Sequence, residues 1–469
     1  MQDKYGVLLP ISCLPGDQGI GDFGISAYIF ADTIKSKGYK YWQILPINPV
    51  GPGNSPYISV CSEAIEPRYI DLNWLVKKGL LNSVKKMPTS NKVDYQKAWD
   101  FKKNYLMRAF VNFKKHPFRG YKKFLNDNKW VYPYAVFTYL RGVNNFTPWN
   151  TWEPEMKFYY DYHSLNEFPK GSENDCEFYI FCQFIAKLQY EALRNYLKKI
   201  DLKLIADCPF YVGLDSVDCW LNKDQFVMNE NYEPTLVSGC PPDAFSDDGQ
   251  LWGTPIFDFK KMEENNYSFL VHRIGYLAST CDYLRLDHFR AWDTYCVIPA
   301  EDENARRGEW IVGPRTKFFD RLFDVYPDIN LIAEDLGELF QGVHDLRDYY
   351  EFPGMFITQF TIFDDWCVSK DTQIVYPGTH DNDTLQGWIN SLPDYRIEQL
   401  RRRFGDGDLF ELIFNYTWNM DSKITIFPLQ DLMRLDNSAR FNLPGTVGSP
   451  NWEWKLTDIK DLNDIKYGY

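Results

Sequence analysis

Tyr283-Leu284-Arg285-Leu286-Asp287-His288 is a short apolar run that closes on a carboxylate and a histidine. Alternation with a period of two puts Arg285 and Asp287 on one face of a strand. The same pattern, an apolar run ending in a polar or acidic cluster, returns at Tyr5–Pro10, Tyr41–Pro46, Leu202–Asp207, Ile329–Glu334, Met355–Phe360, Ile374–Thr379 and Ile424–Pro428. Helix-period stretches such as Ile25–Lys37 and Ser268–Ser279 lie between several of these runs. Strands alternating with helices imply parallel βαβ units, and eight of them imply an α/β fold of the (β/α)8 TIM-barrel type. In that architecture reactive residues stand at the C-terminal strand ends, which is where the acids fall.

The runs are unevenly spaced. Residues 64–200 hold amphipathic helical patterns and a dense aromatic stretch, and 213–270 are rich in Pro, Gly and Asp. These two segments read as insertions after the second and third strands, the latter including a loop that covers substrate. A barrel core of about 250 residues leaves room for both in a single catalytic unit spanning 1–469.

Composition removes several function classes. The 51 Lys and Arg are outnumbered by 64 Asp and Glu, for a net charge of -13, and no pair of lysines grows into a dense basic patch. Nucleic acid is therefore not an expected partner. No apolar stretch is long enough for a membrane span and no secretory signal is readable, so a cytoplasmic protein is expected. The ten cysteines are scattered without a C-x-x-C pair and read as free thiols, several of them buried. With six histidines and no H-E-x-x-H, neither a metal nor another cofactor is expected.

The carboxylates carry the chemistry. Arg285 beside Asp287 favours the charged form of the acid, as a carboxylate nucleophile needs. In Leu331-Ile332-Ala333-Glu334-Asp335, alternation through Ile332 turns Glu334 inward, where a second carboxylate raises its pKa and suits it to general acid work. Gly378-Thr379-His380-Asp381-Asn382-Asp383-Thr384 follows an apolar strand and offers groups that grip hydroxyls. Each motif has a plainer reading: a structural ion pair, a helix cap, a turn. Three acidic strand ends on one barrel face are harder to explain that way, and two carboxyl groups flanking a glycosidic bond are the usual equipment of glycoside chemistry. Of the many aromatics between Trp130 and Tyr162 most read as core, while Tyr57 and Trp252, set among Gly, Pro and Ser, read as sugar-stacking platforms.

Over nearly its whole length the chain resembles the amylomaltase (disproportionating enzyme) family of 4-α-glucanotransferases, glycoside hydrolase family 77. The resemblance is carried by Gly19-Ile-Gly-Asp22, Trp42-Gln-Ile-Leu-Pro46, Asn54-Ser-Pro-Tyr57, Gly239-Cys-Pro-Pro-Asp-Ala-Phe-Ser246, Gly249-Gln-Leu-Trp-Gly253, Arg440-Phe-Asn-Leu-Pro-Gly445 and the three acidic motifs. It implies an α-retaining double displacement on α-1,4-glucans and maltooligosaccharides, through a covalent glycosyl-enzyme. Asp287 would be the nucleophile, Glu334 the general acid/base, and Asp381 the residue that holds two sugar hydroxyls. Arg285 would position Asp287, and His288 and His380 would donate hydrogen bonds to the central sugar. Ser55, Tyr57, Asp207, Asp243, Trp252 and Asn442 match positions associated with substrate binding. Ala244, where some members carry an aromatic, and Cys61–Pro67 depart from the family pattern and bear on outer-subsite stacking and acceptor preference. A retaining α-amylase-like hydrolase remains an alternative that would release reducing ends with every cleavage; a non-catalytic glucan-binding protein would tolerate loss of Asp287.

Overall fold

The computed structural model describes residues 3–242, 248–337, 339–364 and 367–466. Its strands are β1 (Tyr5–Leu8), β2 (Tyr41–Gln43), β3 (Lys203–Cys208), β4 (Leu236–Cys240), β5 (Gln250–Pro255), β6 (Tyr283–Leu286), β7 (Thr294–Pro299), β8 (Glu309–Val312), β9 (Leu331–Ala333), β10 (Met355–Ile357), β11 (Ile374–Tyr376) and β12 (Ile424–Pro428). Eight of them, one from each apolar run, form a parallel sheet in the order β10-β11-β12-β1-β2-β3-β6-β9. This is the (β/α)8 barrel. Its strands are short and almost wholly buried, as parallel strands covered on both faces must be. Gly6 is one point where the interior has no room: a Cβ there would lie 2.5 Å from Ile426 Cδ1 and 2.7 Å from Tyr41 Cβ.

The two ends of the sheet order, β9 and β10, meet without a strand ladder. Two hydrogen bonds span the seam: Ala333 N–H donates to Pro353 O at 2.9 Å, and Met355 N–H donates to the Asp335 carboxylate at 2.7 Å. Arg347 pairs with the other Asp335 oxygen at 2.5 Å. Consecutive acids thus diverge, with Asp335 in the wall and Glu334 at the mouth.

The stretch between β2 and β3 is helical, ending in the long helix Glu173–Lys199, which packs on Ile25–Ser36 and β3 and so serves as a barrel helix. The stretch between β3 and β6 is less irregular than its Pro, Gly and Asp content suggests. Its strands β4 and β5 join β7 and β8, which follow β6, in an antiparallel sheet ordered β5-β4-β7-β8. Two excursions of the chain therefore build one platform beside the mouth. Trp252, expected in a loop, belongs to β5. All ten cysteines are free, eight of them buried, and among the described residues no helix is long and apolar enough to cross a membrane.

Candidate active site

At the end of β6 the chain leaves the sheet through Asp287, whose N–H donates to Cys208 O at 3.0 Å, and then turns at His288, held at a left-handed φ of 50°. Phe289–Trp292 return at once to the core. This corner, costly for a residue with a side chain, leaves Asp287 at the mouth. Glu334 is fastened to the same corner: its N–H donates to Leu286 O (3.1 Å), its carbonyl accepts from Phe289 N–H (3.0 Å), and its carboxylate accepts from His288 N–H (2.7 Å). The neighbouring strands β6 and β9 thereby hold the two acids in fixed relation.

Arg285 lies between the carboxylates. It contacts Asp287 at 3.0 Å and both oxygens of Asp207 at 2.7 and 2.8 Å. The Asp207 side chain has no exposure, so it is closed to a sugar and instead takes part of the Arg285 charge. Sequence reading had Arg285 keeping Asp287 ionised, but burial outweighs the cation and pushes Asp287 up to about 7. Burial lifts Glu334 further, well above the ordinary range for a glutamate, with Arg285 opposing and Asp287 adding to the rise. Asp287 retains 26% side-chain exposure and its direct contact with Arg285, so it is the member of the pair that ionises first. A neutral Glu334 beside an ionised Asp287 is the protonation state of an acid with a nucleophile.

Tyr57 joins this cluster to the β11 loop. Its hydroxyl is 2.8 Å from Asp207 Oδ2 and 2.7 Å from His380 Nε2, and its ring stacks on His380 at 5.2 Å. Because Asp207 as a carboxylate only accepts, Tyr57 donates to it and His380 carries its proton on Nε2. Burial lowers the pKa of His380, and lowers that of His288 to about 3, so both imidazoles are neutral. His288 Nε2 and His380 Nδ1 are buried with no protein partner among the described residues.

Asp381 is held differently. Its carboxylate accepts from Asn442 Nδ2 at 2.7 Å and lies 3.4 Å from His380 Nε2, with 43% side-chain exposure. Arg440 donates to the carbonyls of Asp381 and Asn442, each at 2.6 Å, and pairs with Asp383. Sequence reading missed Arg440, although it stands two residues before Asn442 in a quoted motif. Trp452, which with Asn451 belongs to the same family-matching block but carries no assigned role there, has its ring 5.9 Å from Tyr57 and 6.1 Å from His380. Ser55 Oγ accepts from Tyr57 N–H at 3.3 Å, at the edge of the group. Trp252 is 36% exposed and meets the His288 ring edge-on at 4.9 Å, with Tyr211 and Phe210 packed around that histidine. Asp243 and Ala244 lie outside the described residues. Among the described residues no cluster of His, Cys, Asp and Glu could hold a metal ion.

Residues 9–461 match the family model described as 4-alpha-glucanotransferase. The 4-alpha-glucanotransferase of Clostridium butyricum is 36% identical over 473 residues, covering 97% of this chain and 96% of that protein. That of Thermus thermophilus is 32% identical, covering 96% and 94%. Among solved structures, amylomaltase from Streptococcus agalactiae in complex with acarbose superposes with a TM-score of 0.92 at 30% identity, over 98% of this chain and 96% of that one. These likenesses favour transfer over the hydrolytic alternative, and by them the chain belongs to the 4-alpha-glucanotransferase family and has that activity.

Proposed function

We propose that the chain moves α-1,4-glucan segments between maltooligosaccharides or longer glucans by a retaining double displacement, with Asp287 as nucleophile and Glu334 as acid and base. The observation that carries this reading is the corner shared by β6 and β9, where one acid keeps an Arg285 contact and the other is raised further by its surroundings. In the first step Asp287 forms a bond to the anomeric carbon as the glycosidic bond breaks, and Glu334 gives its proton to the departing oxygen. In the second, the 4-hydroxyl of an acceptor sugar attacks that carbon, returns a proton to Glu334 and releases Asp287. One glycosidic bond is broken and one made, so no cofactor or outside energy source is required.

Asp381, half open and oriented by Asn442, grips sugar hydroxyls with charge-assisted hydrogen bonds. Neutral His288 offers a donor that does not compete with Asp287 for charge, while neutral His380, its proton given to Tyr57 from Nε2, keeps Nδ1 as an acceptor. The placement of Trp252 against His288 supports reading the 213–270 insertion as carrying, between Gly239 and Gly253, a loop that covers substrate, where excluding water and binding acceptor sugars favours transfer over hydrolysis. The free thiols fit a reducing compartment and support a cytoplasmic location.

The test is incubation with maltotriose alone. Glucose and longer oligosaccharides accumulating while total reducing ends stay constant is the expected result. A steady rise in reducing ends without longer products would overturn transfer in favour of hydrolysis.

A further inference from the structure

The residues from 77 to 129 carry 15 Lys and Arg against three Asp and no Glu, leaving 36 cations and 61 carboxylates to the other 416 residues. The cations come as scattered pairs along the sequence, which is why none reads as a patch; the fold collects them. Asn112 Nδ2 donates to Leu80 O at 3.0 Å, Lys85 N–H donates to the Tyr105 hydroxyl at 3.1 Å, and Trp74 meets the Phe118 ring at 6.1 Å. Those contacts lay the segment carrying Lys77, Lys78 and Lys85 along the C-terminal half of the helix Tyr95–Lys115, the half that carries Arg108 and Lys115 and leads to Arg119. All six are exposed, and none has an ion pair among the described residues. The three aspartates of the stretch are engaged elsewhere: Asp94 with Lys97, Asp127 with Lys123, and Asp100 with Gln96. Glu173, Asp175 and Glu177 open the helix Glu173–Lys199, which packs on this end through Asn174 and Phe178, yet none of them pairs with the six cations among the described residues; like charges so placed oppose their own proximity unless an anion settles among them.

We propose that this cationic end anchors phosphate-bearing α-glucan, a polymer with phosphate monoesters on some of its sugars. The proposal rests on the α-1,4-glucan reading above. The opposite end of the same helix abuts the active-site wall, since the Tyr95 hydroxyl donates to Trp452 O at 2.9 Å and the Trp452 ring adjoins Tyr57. A helix of 21 residues spans about 31 Å, so a glucan seated in the cleft reaches the cations once it is long enough. A neutral glucan gains nothing there, whereas each phosphate gains charge-assisted hydrogen bonds. The acidic remainder of the chain repels the phosphates of that polymer, which confines them, and not the neutral stretches between them, to this end.

Other polyanions fit less well. Trp74 and Tyr105 are each covered by a cation of the cluster, Lys78 at 5.2 Å and Arg108 at 5.6 Å, which leaves no open platform for stacking bases. Met107 and Val111 are the large apolar residues this helix exposes, too little apolar area to enter a lipid surface.

Anchoring raises the effective concentration of substrate at the cleft without touching the reacting bonds. The test compares initial rates on a phosphate-bearing amylopectin with rates on the same material after phosphatase treatment, at about 50 mM salt, where screening is weak. The expected result is a several-fold lower KM for the phosphate-bearing glucan at equal kcat, erased by high salt and by the triple variant Lys78→Glu, Arg108→Glu, Lys115→Glu. Maltotriose turnover by that variant should equal the parent's; should the triple variant fold poorly, Lys78→Gln with Lys115→Gln replaces it, with a partial loss expected. Equal KM for the two glucans, or a difference that survives the substitutions, overturns the proposal. So does a single-stranded oligonucleotide that the phosphate-bearing glucan fails to displace. Absence of maltotriose disproportionation by the parent chain would instead strike the proposed function.

Discussion

Asp287 and Glu334 are held by backbone, Asp381 by side chains. The first two stand on adjacent strand ends and are tied to one another through main-chain hydrogen bonds of residues 286–289. Asp381 stands on a loop and is oriented by Asn442 and Arg440, which arrive from about sixty residues further along the chain. The barrel thus builds the pair proposed to break the bond as part of its own closure, and recruits the acid proposed to grip the sugar through a segment that can be altered separately. The strand-borne pair is enclosed enough for both acids to be shifted upward, and the Asp381 side chain keeps 43% exposure.

Substitutions can break this contrast in order of expected size. Asp287→Asn should cost at least about 10⁴-fold in turnover with circular dichroism unchanged, because the covalent route is lost; a folded variant of near-parental activity would remove Asp287 from the mechanism. Arg440→Met, which touches no reacting atom, should cost about 100-fold by freeing the Asp381 loop, and the loss should exceed that of Asn442→Ala in the same maltotriose assay. A smaller loss for Arg440→Met would mean that the loop holds its shape without it.

The pH profile sharpens the comparison. Asp287 must be ionised and Glu334 protonated, so kcat/KM should rise through an apparent pKa of about 7 and fall again as Glu334 loses its proton. Arg285 holds Asp287 down; replacing it with Gln should therefore move the rising limb to higher pH, beyond any uniform loss of rate. A rising limb that stays in place would detach Arg285 from the ionisation of Asp287. Tyr57→Phe should have the smallest effect, about thirtyfold or less, the worth of its two hydrogen bonds to Asp207 and His380, seen as a change in kcat/KM on maltotriose.

The barrel is legible in sequence because a strand buried on both faces must be a continuous apolar run, and all eight runs became strands in one sheet. The platform of β4, β5, β7 and β8 is not legible, since its strands carry Gly, Pro, Trp and exposed residues and pair across two separate excursions. Local reading found Asp287, Glu334 and Asp381 at their strand ends and loop. It could not find the role of Arg440, whose partners lie about sixty residues away, nor foresee that Asp207 would be spent on Arg285 and Tyr57. The Asp287 pKa stands higher than sequence suggests for a related reason: the neighbouring cation, which does lower it, is visible in sequence, and the burial that raises it is not. The lysine pairs were read singly, and their convergence depends on contacts such as Asn112 with Leu80 that only folding supplies.

One joint of the barrel has a further consequence. A closed ring of strands presents no free edge, and free edges are where folded sheets recruit one another into aggregates. Here the ring closes between β9 and β10 through one main-chain hydrogen bond, Ala333 to Pro353, and the Asp335 carboxylate in place of a ladder. Asp335 therefore protects against edge-to-edge association, one residue away from the acid that serves the chemistry.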